Sequence, residues 1–171
     1  MVLMSFLAFS GCKTDARKLR ISTIYTEPER VVKEVPETDK IQTYTTRQEV
    51  TERLNPMILM LSKTGKILKF RIQGNISSGG HIINQIEKIR FEKGKQNGNS
   101  ITLKYYTEIT RKSGKESAGV SGYNYTKDEI YTVPDDVKVI KVELYEDQIN
   151  KAPDKYIKLI AQQTFNFFTK I

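Results

Sequence analysis

The chain has 171 residues, enough for one domain with a sizeable core. Its formal net charge is +8, with one cysteine and one histidine. A single cysteine excludes an intramolecular disulfide, and a single histidine excludes any metal or catalytic site that needs two imidazoles. The lysines are spread through turns and alternate with glutamates, so the positive balance reads as a solvated surface, with no nucleic acid as partner.

Residues 1–11 carry no charge. Phe6-Leu7-Ala8-Phe9 is an apolar run that leads through the small residues Ser10 and Gly11 into Cys12. As a helix, this leader reaches only about 16 Å, roughly half the ~30 Å hydrocarbon core of a bilayer. No later stretch approaches the ~20 apolar residues that a span needs. An apolar segment, small side chains before the cut and a thiol to acylate are what lipoprotein processing requires. Residues 1–12 accordingly resemble a bacterial lipoprotein signal, although Phe9 stands where Leu is preferred and no Lys or Arg precedes the run. The resemblance implies that 1–11 is a signal peptide and that Cys12 becomes the lipidated first residue of the mature protein, held at the membrane of a bacterial cell envelope. Lys13 replaces the Asp that retains many lipoproteins at the inner membrane, which by the same resemblance tilts the expected location toward the outer membrane. Buried acyl chains contribute ~0.8 kcal/mol per CH₂, so more than one chain can anchor a protein without a transmembrane helix.

Residues 12–40 read as the lipidated cysteine and a polar tether, punctuated by Pro28 and Pro36. Arg17, Lys18 and Arg20 are placed to contact anionic head groups or simply to solvate the tether. Ile21, Ile24 and Tyr25, and later Val31, Val32 and Val35, have the composition of edge strands. The folded domain is expected over 41–171. Thr46 to Glu49 matches a capping box and predicts a short helix ending before Asn55-Pro56. The rival is a threonine-rich strand from Ile41 to Val50.

The β signal is strongest next. Met57 to Leu61 is a continuous apolar run, Lys63-Thr64-Gly65-Lys66 is a turn, and Leu68, Phe70 and Ile72 alternate with Lys69, Arg71 and Gln73. This predicts a hairpin with one row on the core. A strand from about Gln85, a turn at Lys95–Asn99 and an alternating strand carrying Ile101, Leu103, Tyr105, Thr107 and Ile109 predict a second hairpin. Val137 to Tyr145 predicts a further strand, with Ile140, Val142 and Leu144 inward. Pro153-Asp154 predicts the start of a C-terminal helix whose stripe is Tyr156, Ile157, Ile160, Thr164, Phe167, Phe168 and Ile171.

Catalytic motifs are few and incomplete. The S-x-x-K companion that the Lys63-Thr64-Gly65 triplet has in penicillin-interacting enzymes occurs only as Ser10 to Lys13, across the expected cleavage point, S-D-N is absent, and no G-x-S-x-G elbow accompanies His81. Asp128-Glu129 and Asp135-Asp136 sit in predicted turns, where Asp is common, and their spacing does not form an EF-hand loop. No cofactor, metal site or enzymatic activity is expected. The expected functional surface is the glycine-rich loop 111–128, with Tyr123 and Tyr125 as contact area and Lys115 and Lys127 as charge.

The sequence thus predicts one mainly-β domain: an antiparallel β-sandwich, immunoglobulin-like or transthyretin-like, with a C-terminal α-helix. The leading functional expectation is a lipid-anchored accessory protein that docks a protein partner, as in secretion or transport assemblies. The alternative is a lipoprotein that binds carbohydrate or peptidoglycan.

Overall fold

A computed structural model describes residues 18–35, 40–150 and 156–167. Nine strands occur among them: β1 (Arg20–Val35), β2 (Lys40–Glu49), β3 (Met57–Thr64), β4 (Ile67–Ser77), β5 (Ile82–Lys93), β6 (Ser100–Ser113), β7 (Val120–Thr132), β8 (Val139–Gln148) and β9 (Tyr156–Asn166). They build two sheets in the orders β2-β1-β7-β4-β3 and β5-β6-β8-β9. Each neighbouring pair is antiparallel except β6–β8, which is parallel. The mainly-β, sandwich-like architecture agrees with the sequence pattern.

The core lies between the two sheets. Leu68, Phe70 and Ile72 of β4 face Ile101, Leu103 and Tyr105 of β6 and Ile140, Val142 and Leu144 of β8, and all nine are buried. Phe70 joins the sheets, its ring 5.8 Å from Tyr105 in an edge-to-face contact and 6.1 Å from Phe165. Both predicted hairpins form as expected. Their turns carry Gly65 at φ 55° and Gly98 at φ 57°, left-handed backbone that glycine adopts without a Cβ penalty. On the outer face of the second sheet, Arg90 stacks 4.1 Å from the Tyr106 ring centroid and pairs with Glu108 at 2.8 Å and Asp147 at 3.3 Å.

Five expectations change. The C-terminal stretch is strand β9, and no helix occurs among the described residues. Its helix-like spacing comes from a register break: Leu144 pairs with Ala161 and Tyr145 with Leu159, leaving Ile160 as an extra residue. Ile160 and Ala161, consecutive in sequence, both pack on the core, so the period of two is interrupted and imitates a helical stripe. The start expected for that helix, Pro153-Asp154, and Phe168 and Ile171 lie outside the described residues.

Residues 20–35 are not tether but β1, whose Ile24 is fully buried and whose Arg20–Tyr25 segment pairs with β7. The proposed capping box is the end of β2. Glu49 turns its carboxylate to Arg53 and accepts a hydrogen bond from Ser121 Oγ at 2.9 Å, rather than closing a helix. The 111–128 loop shrinks to a turn between β6 and β7, because Arg111–Ser113 and Val120–Asp128 belong to strands. Asp128 and Glu129, expected in a turn, sit within β7, paired with Arg71 and Lys127. Cys12 and the signal-like leader lie outside the described residues.

Candidate functional site

The four loop residues expected to form one surface are separated by strand alternation. Tyr123 and Tyr125 lie two apart on β7, so both rings point between the sheets. Tyr125 is 1% exposed, directly opposite Gly74 of β4, and burial pushes its phenol up to about 12. It is core, not contact surface. Tyr123 is half-buried, and burial followed by its hydrogen bond to Glu116 raises its pKa. Lys127 is half-buried, its ammonium 2.6 Å from Glu129. Of the four, Lys115 alone is exposed, on the β6–β7 turn.

That turn and the β4–β5 connection enclose a shallow cleft of about 520 Å³, rimmed by Arg47, His81 and Lys115 and floored by Ser78 and Gly119. Ser78, 4% exposed, ties its walls together. Its hydroxyl donates to Glu116 at 2.5 Å and accepts from the Asn84 N–H at 3.1 Å. The Ser78 hydrogen bond holds the Glu116 carboxyl below its usual range, assisted by the Ser117 N–H. Arg47 Nε donates to Thr26 Oγ1 at 2.9 Å. Gly119 has φ 94°, and a Cβ there would sit 3.1 Å from the Arg47 guanidinium. The cleft therefore offers a mainly cationic rim over a hydrogen-bonded wall.

A second surface was not anticipated as functional. Met57, Leu59, Met60 and Leu61 of β3 are all more than a third exposed, the last two at 57% and 47%. β3 is the last strand of its sheet and lies against β9, the last strand of the other. Clefts of about 400 and 340 Å³ flank this seam, and Lys63 lines both. Lys63 donates to the Asn166 carbonyl and lies 4.4 Å from the Phe167 ring centroid. The signal in the sequence was the run Met57–Leu61 itself. Its apolar residues do not alternate, so a strand made from it must turn apolar side chains to both faces.

No family model, no curated protein and no solved structure matches this chain.

Proposed function

We propose that the chain is a non-enzymatic accessory lipoprotein of the bacterial cell envelope, anchored through Cys12, more at home in the outer than the inner membrane. It docks a protein partner of the kind found in secretion or transport assemblies. The observation that carries this reading is the exposed apolar strip of β3. Contiguous apolar surface on a folded domain is the usual mark of a protein contact. Beside it, Leu59 and Met60 line a cleft with Gln163, Thr164 and Phe165 of β9. The immunoglobulin-like or transthyretin-like sandwich belongs to the same proposal, as a rigid scaffold that presents this edge. The glycan-binding alternative has less to rest on, since Tyr125 is inaccessible and Tyr123 meets the cleft through its hydrogen bond to Glu116.

The test is a crosslinking pull-down from native membranes with wild type, Cys12→Ala and the double variant Leu59→Ser/Leu61→Ser. Wild type should sit in the membrane with one discrete partner. Cys12→Ala should be soluble or mislocalised, and the double variant should stay in the membrane without the partner. A soluble wild type with no partner overturns the proposal. Retention on isolated sacculi that Tyr123→Ala abolishes favours the alternative.

A further inference from the structure

Open sandwiches expose strand edges, and an unprotected edge pairs with another chain. Among the described residues four strands are edges: β2, β3, β5 and β9. Three of them carry a one-residue interruption. Leu61 is skipped in the β3–β4 register, Glu87 in β5–β6 and Ile160 in β8–β9. Such bulges twist an edge and break its line of hydrogen-bonding groups. β2 is different. Its ten residues pair with β1 without a shift, from Thr26↔Glu49 to Val35↔Lys40, and Lys40–Glu49 contains no proline.

β2 also stands apart from the sandwich body. β1 pairs with β7 only through Arg20–Tyr25, so the ten pairs beyond it form a two-stranded arm about 30 Å long. Val32, Ile41 and Tyr44 on it are all exposed, at 58%, 67% and 48%. A two-stranded ribbon alone is marginal in water, and additional strands stabilise it.

We propose that the free edge of β2 pairs with the β2 edge of a second copy of this chain, antiparallel and centred on Tyr44. The register follows from the backbone. The Val50 N–H donates to Tyr25 O, so by alternation even positions of β2 face β1 and odd positions 41, 43, 45 and 47 direct their N–H and C=O groups outward. Two identical edges then match only when opposed positions have the same parity. Centring on Tyr44 makes Thr43 and Thr45 a hydrogen-bonded pair and Ile41 and Arg47 the next. Tyr44 faces its copy at a non-hydrogen-bonded position, where side chains approach most closely. Gln42 falls opposite Thr46, and no like charges meet. Aromatic–aromatic and threonine cross-strand pairs are favourable ones. The contact is isologous, so it closes as a dimer instead of growing into a filament. It joins the two five-stranded sheets into one of ten strands. It uses a different edge from the β3 strip and does not depend on the docking function.

The test uses the full-length chain in mild detergent. Sedimentation equilibrium at micromolar protein should return twice the chain mass, less detergent. Thr45→Pro removes an outward N–H without touching the β1 ladder and should return the single-chain mass. In a Cys12→Ala background, Tyr44→Cys should form a covalent dimer under mild oxidation, whereas Leu59→Cys on β3 should not. The crosslink decides the matter even if the proline disturbs the arm. A monomer with no crosslink at position 44, or a dimer that crosslinks through position 59 instead, overturns the proposal.

Discussion

Arg71 and Asp128 stand directly opposite each other on β4 and β7 and form a two-pronged ion pair, Nε to Oδ1 at 2.6 Å and Nη2 to Oδ2 at 3.0 Å. Arg20, at the start of β1, adds a third contact to the same carboxylate at 2.8 Å. One acidic side chain thus joins three strands on the outer face of the first sheet.

This arrangement makes stability depend on acid. The Arg71 hydrogen bond, with smaller contributions from Arg71 and Arg20 charge, holds the Asp128 carboxyl below its usual value of 3.8. A carboxyl depressed in the folded state stabilises the fold above its unfolded pKa, and that contribution is lost as pH falls through the folded pKa. Since both arginines are partly exposed, the contribution is on the order of 1 kcal/mol. Melting temperature followed from pH 6 to 2 should fall less steeply for Asp128→Asn than for wild type. Parallel curves would show that the pair contributes nothing.

Tyr125 and Gly74 set the spacing of β4 and β7. A Cβ on Gly74 would lie 2.5 Å from the Tyr125 hydroxyl and 2.7 Å from its ring. Gly74→Ala should therefore displace the ring and cost about 1–3 kcal/mol, as overpacking does. Tyr125→Ala should cost about 3–5 kcal/mol, in the range of buried aromatic truncation. Tyr123→Ala, at a half-buried position, should cost clearly less. Urea unfolding of the three variants ranks them, and equal losses for Tyr123 and Tyr125 would contradict the burial difference.

Asn124 and Asn75 are neighbours across β4 and β7 and hold the chain that crosses from β2 to β3. Asn124 Oδ1 accepts from the Leu54 N–H at 2.9 Å, and its Nδ2 donates to the Glu52 carbonyl at 2.8 Å. Asn75 Nδ2 donates to the Leu54 carbonyl at 2.7 Å. Asn124→Ala strands those backbone groups and should cost about 1–3 kcal/mol. Limited trypsin digestion should then cut after Arg53 faster than in wild type, while Asn124→Asp, which keeps an acceptor, should show a smaller increase. Unchanged cleavage in both would mean that the crossing is held by other contacts.

Alternation made much of the sandwich readable from sequence. Leu68, Phe70 and Ile72, then Ile101 to Ile109, then Ile140 to Leu144, each lie on one face of a strand because side chains in extended chain point to opposite sides in turn. Where a bulge interrupts that rule, as at Ile160, local spacing imitates a helix, and the strand is recognisable only from its partner. The candidate surfaces were less legible. Tyr123 and Tyr125 look like loop residues among glycines, and Gly122 and Gly74 acquire their meaning only when β7 lies beside β4 and a Cβ at 122 would sit 2.2 Å from the Ile76 carbonyl.

By itself, the sequence determined the class of fold, two hairpins and their inward rows, since these depend on local periodicity and turn chemistry. Which strands became edges, which edges are bulged, that β1 continues as an arm beyond β7, and that Tyr125 is core were decided by the tertiary structure. Those properties depend on pairing between residues far apart in the chain, such as Arg20 with Thr126 or Ser100 with Val139, and no local pattern encodes the choice of partner.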